Sequence, residues 1–191
     1  MLRVIILSLL VLTGCATQEP PKELNRVTVV ASGDLSFLDN KPLTYAWHPT
    51  HARIRVNDEL NEQQVAGLLY ETIASVMKQK GYQQVSIQDN PSVVIGFGAA
   101  LESAMGDDEI LQRVGLVPGL SVDGVDSSQY QKGSVLIALF GNDLTRPNWQ
   151  VIGQGLADLK AKREQREPRL KEEVQLMLNN VPPTQRFDRL Q

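Results

Sequence analysis

Apolar residues follow two rhythms along this chain. Between Asn57 and Lys80, Val65, Leu68, Leu69, Thr72, Ile73, Val76 and Met77 recur at three and four residues. That spacing collects them on one side of an α-helix. Asn57 or Asp58 is expected to cap its start and Gly81 to stop it. A second helix is predicted from Glu167-Pro168 to about residue 180, with Leu170, Val174, Met177 and Leu178 as its buried stripe. Pro168 suits a first turn, where the missing N–H costs nothing, and Pro182-Pro183 ends the segment. The pairs Glu167/Lys171 and Arg169/Glu173 are four apart, so opposite charges are expected to meet on its outer face.

The other rhythm is that of strands. β-prone runs cover Arg26 to Ala31, Leu43 to Trp47, Tyr82 to Ile87, Val93 to Ala99, Ser134 to Phe140 and Trp149 to Gly155. His48-Pro49 is expected to close the second run. The turn residues between Phe140 and Trp149 predict a hairpin. Leu101 to Tyr130 keeps no period and carries four glycines, Gly106, Gly115, Gly119 and Gly124. It is long for a bare connection, so a hidden local element is expected there. The order is β-β-α-β-β-(loop)-β-β-α. Neither helix can bury its stripe alone. The predicted fold is therefore α+β: a mostly antiparallel sheet with two main amphipathic helices packed on one face.

The N-terminus has a different character. Arg3 precedes an apolar run from Val4 to Leu12 interrupted only by Ser8. As a helix this run is about 14 Å long, short of the ~30 Å hydrocarbon core of a bilayer. It reads as a secretory signal. Leu12-Thr13-Gly14-Cys15 resembles the lipobox of bacterial lipoproteins. That resemblance implies cleavage before Cys15, a diacylglycerol thioether on its sulfur and acylation of the freed amine. Ala16, where an Asp would imply inner-membrane retention, implies transfer to the outer membrane. The organisation expected is a signal peptide at 1–14, the lipidated Cys15 and tether at 15–25, and a single α+β domain at 26–191.

Composition narrows the chemistry. Cys15 is the single cysteine, which removes an intrachain disulfide and any multi-cysteine metal site. Nineteen basic against 22 acidic residues give a net charge of −3, which lends no support to nucleic-acid binding. The densest charge run mixes Lys160, Lys162, Arg163, Arg166, Arg169 and Lys171 with Glu164, Glu167, Glu172 and Glu173, and reads as a solvated surface.

Candidate sites are few. His48 and His51 could share a metal with Asp58 or Glu59, but two loop histidines are the simpler reading. Gly96-Phe97-Gly98 and Gly153-Gln154-Gly155 both lack the third glycine of a dinucleotide motif, and close strand packing accounts for them better. Asp107, Asp108, Glu109, Asp123 and Asp126 carry oxygen ligands suited to calcium without the spacing of an EF-hand. Trp47 and Tyr130 would form a binding patch if they met the 101–130 excursion. No catalytic or cofactor-binding residue is assigned.

Tyr45-Ala46-Trp47, the helix ending in Lys80-Gly81-Tyr82, Val93-Val94-Ile95, Tyr130 to Leu139, the Trp149 strand and Val181-Pro182-Pro183 follow one another in a particular order and spacing. In this the chain resembles the DUF4136 family of bacterial lipoproteins, over roughly residues 26–185. The resemblance implies a compact α+β envelope domain and no defined reaction. The expected protein is a non-catalytic lipoprotein at the periplasmic face of the outer membrane, with a binding or structural role and no cofactor. Its partners would be the membrane, through the lipid on Cys15, and an envelope protein or glycan. The alternative is a small metal-assisted envelope hydrolase using His48 and His51.

Overall fold

The computed structural model describes residues 26–56 and 60–182. The expected signal peptide, Cys15 and tether, with Asn57, Asp58, Glu59 and the residues from 183, lie outside them.

Six strands form one sheet among the described residues: β1 (Val27–Gly33), β2 (Thr44–Arg55), β3 (Gln83–Gln84), β4 (Val93–Leu101), β5 (Tyr130–Phe140) and β6 (Trp149–Asp158). Their order is β1-β6-β5-β4-β2-β3. The α+β class holds, but the sheet is mixed. β1–β6, β6–β5 and β5–β4 are antiparallel, whereas β2 runs parallel to both β4 and β3. The cause is α1 (Glu62–Gln79), which carries the chain from the end of β2 back to its beginning. A helical crossover delivers a parallel neighbour, while the short link between β5 and β6 delivers an antiparallel one.

Side chains alternate across the sheet. Tyr45, Val93, Ile95, Phe97, Val135, Ile137, Leu139, Trp149 and Val151 point to one face, where they form the main core with α1 and α3 (Arg163–Met177). From α1 this core takes Leu69, Ile73, Val76 and Met77, and from α3 Val174 and Met177. Each fully buried aliphatic side chain contributes about 1.5–3 kcal/mol. Two principal helices on one face is thus what is seen. The opposite face is covered as well. A third helix, α2 (Asp107–Val114), is the element hidden in the excursion, and it lies there with the loop around Leu120. At the other end of that face Val94, Ala138 and Phe140 pack with Ile87 and Leu144. Cover on both sides is why β4 and β5 read as nearly continuous apolar runs.

Several boundaries differ from expectation for physical reasons. The cap of α1 is Asn61, whose side chain accepts from the Gln64 N–H at 3.0 Å. β2 does not stop at His48-Pro49; it continues to Arg55 through a register shift between Trp47 and Ala52. In that bulge Pro49 has no ladder bond to donate. β3 is only two residues long because a 3-10 turn at Ile87–Asp89, capped by Ser86, ends it. α3 begins at Arg163, so Pro168 sits inside the helix and not in its first turn. Strong helix formers ahead of it, Glu164 to Glu167, extend the helix N-terminally despite the lost N–H. One glycine is dictated by geometry. Gly33 has φ +108°, and a Cβ there would lie 2.2 Å from the Asn148 carbonyl oxygen.

Candidate functional site

At one end of the sheet β2, β4 and β6 finish while β1 and β5 begin. The N-terminal half of α1 and the length of α3 overhang that end, and a cleft of about 650 Å³ opens between them. Such a volume falls in the range of small-molecule sites. Its floor is aliphatic: Val65 and Leu68 from α1, Leu170 from α3, Ala99 and Val135 from the sheet. Two large apolar side chains at its mouth are left in solvent, Val27 at 42% exposure and Leu176 at 54%.

Charge is concentrated on the α3 side. Arg163, Arg166, Arg169, Glu172 and Glu173 all line the cleft, joined from the sheet end by Arg26 and Asp158. Several have fixed partners. Arg163 bridges Glu71 at 3.0 Å, Arg26 donates to the Asp123 carbonyl at 3.2 Å, and Asp158 accepts from the Lys160 N–H at 2.8 Å. Arg166 donates from Nη2 to the Leu159 carbonyl at 3.1 Å, but its buried Nε has no hydrogen-bond partner among the described residues.

Glu173 is the most unusual group in the cleft. Its carboxyl lies across β6 above two glycines. A Cβ on Gly153 would stand 2.8 Å from Oε1, and one on Gly155 would stand 3.5 Å from Oε2. The glycines of Gly153-Gln154-Gly155 thus make room for a carboxyl, in keeping with close packing and not with a nucleotide loop. Oε1 is buried and has no hydrogen-bond partner among the described residues. Burial pushes the carboxyl up to about 7, against the opposing pull of Arg169. Near neutral pH the group therefore exists both as a proton donor and as an anion. The expectation that Arg169 and Glu173 meet on the outer face is corrected here: Glu173 turns inward. The expectation of a solvated surface for the charge run is corrected with it for Arg166 and Glu173.

The opposite face buries charge in another way. Lys132, 6% exposed, pairs with Asp107 at 2.8 Å and Glu102 at 3.0 Å. Burial alone would lower its pKa, but the hydrogen bonds it donates to the two carboxylates and their negative charge prevail, and the net shift is upward. Gln154, fully buried, donates to Asp107 at 2.7 Å and Ser134 at 3.1 Å and accepts from the Leu120 N–H at 2.9 Å. This network pins α2 and the 120 loop to β5 and β6.

The residues singled out from sequence fall elsewhere. His48 is buried in β2, not in a loop. Its Nδ1 accepts from the Thr50 N–H at 3.2 Å, so the ring proton on Nε2 faces the Leu144 carbonyl at 3.0 Å. Its ring leans on Phe140, with centroids 4.9 Å apart, and it does not line the cleft. His51 lies in β2, its side chain outside the description, as are Asp58 and Glu59. Among the described residues no three His, Cys, Asp or Glu side chains gather to hold a metal ion. Asp107, Asp108 and Glu109 form the first turn of α2, while Asp123 and Asp126 accept from Ser121 and Ser128 in separate turns. Trp47 packs edge-on against Tyr45, Tyr70 and Phe97 beneath α1. The 101–130 excursion lies on the other face, so the imagined aromatic patch does not form.

Comparison with curated proteins finds no match. Two solved structures show a distant likeness to this chain. A PelC dodecamer from Paraburkholderia phytofirmans is 14% identical, with a TM-score of 0.45, covering 80% of this chain and 96% of its own. A DUF4136 family protein from Bacteroides thetaiotaomicron is 13% identical, with a TM-score of 0.42, covering 84% of this chain and 98% of its own. The family model for DUF4136, a domain of unknown function, matches residues 34–183, most of the chain, and the protein belongs to that family.

Proposed function

We propose that this protein is a lipoprotein of the bacterial envelope, anchored through Cys15 at the periplasmic face of the outer membrane, whose domain binds a partner and does not transform it. The anchor rests on the order of Arg3, the apolar run and Leu12-Thr13-Gly14-Cys15. Among the described residues no helix is long and apolar enough to cross a membrane. The observation that carries the binding role is the cleft, an aliphatic floor with an arginine-rich α3 side and an apolar mouth. Its chemistry suits recognition: shape, apolar area and a few convergent polar groups.

The test has two parts. Cys15→Ala should abolish acylation and release the chain from the outer-membrane fraction; an unchanged acylated mass would remove the anchor. A photoreactive residue placed at Leu176, at the cleft mouth, should crosslink in cells to a specific partner. Leu68→Trp, which fills the floor, should abolish that capture. A capture pattern identical with and without the filled floor would overturn the binding role.

A further inference from the structure

We infer that β1 is an interface: its free edge pairs antiparallel with β1 of a second copy of this chain, about a two-fold axis at Val30, and joins the two sheets into one.

β1 ends the sheet, and no described strand lies beyond it. Its ladder to β6 is regular, and at the end of that ladder the Asp34 N–H bonds to the Asn148 carbonyl. Even-numbered residues therefore bond to β6, while Val27, Val29, Ala31 and Gly33 turn their backbone N–H and C=O groups outward. The stretch from Val30 to Gly33 is exposed. An open edge of this kind is a template for another strand unless charge, proline or a bulge blunts it. The other end of the sheet is blunted. There β3 is two residues long, and beyond it β2 carries Pro49, a register shift, Arg53 and Arg55. β1, Val-Thr-Val-Val-Ala-Ser-Gly, has none of these devices.

The charges at its ends select the occupant. Arg26 precedes β1 and Asp34 follows it, both exposed. Hydrogen bonds from the Ser36 hydroxyl and N–H hold the Asp34 carboxyl below its usual value, so it is an anion at neutral pH. With Val30 opposite the other copy's Val30, antiparallel pairing sets Arg26 of each copy against Asp34 of the other. A slip of two residues either way loses that match. The same register makes hydrogen-bonded pairs of the outward groups, Val29 with Ala31 and Val27 with Gly33. It also brings the exposed Val30 side chains together and lays the exposed Val27 against a residue without a side chain. A strand that complements itself in charge, hydrogen bonds and shape suits a copy of itself, the isologous contact of a two-fold dimer.

The full chain, purified in density-matched detergent, provides the test. Its sedimenting mass should rise with concentration to that of a dimer. Val30→Cys should oxidise to a dimer joined β1 to β1, as mapped by mass spectrometry. Facing Cα atoms in a non-hydrogen-bonded pair lie about 4.5 Å apart, within disulfide reach. Thr28→Cys and Ser32→Cys should each stay unlinked alone, with their copies about 14 Å apart, and link when mixed. Val30→Lys sets like charges face to face and should weaken the dimer at least about tenfold, and mixing it with Val30→Glu should restore it. Arg26→Glu, which sets acid against acid at both ends, should weaken the dimer severalfold.

A monomer at every concentration, Thr28→Cys linking to itself as readily as Val30→Cys, or a dimer indifferent to Val30→Lys would each overturn the inference. So would a benzophenone side chain at Val30 that, in cells, labels another protein or residues 16–25 of its own chain in place of a second β1.

Discussion

Lys132 and Glu173 are ionisable side chains set against the same sheet, one on each face. Lys132 meets two carboxylates, and its neighbour Gln154 has three hydrogen bonds. Glu173 meets two glycines, the nearby charge of Arg169 and the open end of a cleft. The first arrangement is complete and holds an irregular segment in place. The second is incomplete, and a buried carboxyl with an unused oxygen is costly unless something else uses it. The difference separates a group whose hydrogen bonds serve the fold from one that the fold leaves unsatisfied, although both are ionisable and buried.

Breaking the complete side should have the largest effect on stability. Lys132→Ala leaves Asp107 and Glu102 facing each other and loosens α2, which keeps its bonds from Gln154 and Gln150, and about 4 kcal/mol should be lost in chemical denaturation. Lys132→Met keeps the stem and should lose less. Stability that survived Lys132→Ala would mean the network does not pin the excursion.

The incomplete side predicts the opposite sign. Burial pushes Glu173 up to about 7 in the fold, against an ordinary carboxyl value of 4.5. The folded state therefore holds the extra proton across that window, and stability falls as pH rises from about 4.5 to about 7. Arg26, Asp158, Arg163, Arg166, Arg169 and Glu172 share the cleft, so the natural protein must be read against a variant that leaves them in place. Glu173→Gln should match it near pH 4 and exceed it by up to about 3 kcal/mol at pH 8. Parallel stability curves would show that the carboxyl is not desolvated.

The glycines under Glu173 sharpen the contrast. Gly153→Ala pushes a methyl against Oε1 at 2.8 Å and the Met177 sulfur at 3.0 Å, and should cost about 2 kcal/mol. Gly155→Ala meets nothing nearer than 3.5 Å and should cost much less. Equal losses would remove the carboxyl as the reason for the first glycine. The smallest effect belongs to Tyr82, whose buried hydroxyl has no hydrogen-bond partner among the described residues and is pushed up to about 12 by burial. Tyr82→Phe should raise stability by about 1 kcal/mol or less, as a modest gain in thermal midpoint.

Much of the fold is legible in the sequence because it follows from period. The stripes of α1 and α3 and the run from Ser134 to Phe140 lie where their spacing places them. The parallel pairing is legible too, in the helix between Leu43–Trp47 and Val93–Ala99, although strand period alone points to a mostly antiparallel sheet. α2 is eight residues long with one buried side chain, Ile110, too little apolar content to show a period. Pro49 hides the second half of β2, because only a bulge makes proline acceptable there.

The cleft was barely legible. Charge counting makes Lys160 to Glu173 a solvated face. Yet Arg166, Leu170, Glu173 and Met177 are spaced by four, three and four, on the buried stripe itself. A carboxyl on that stripe, together with two glycines alternating on one strand, was the available signal. What spacing could not supply was that these two features face each other across the core.

The most direct measurement follows the Glu173 side-chain carboxyl by carbon NMR through a pH titration. The account predicts a midpoint near 7, raised by burial over the two glycines of β6. A midpoint at the ordinary value of 4.5 would contradict the buried, unsatisfied carboxyl on which the contrast with Lys132 rests.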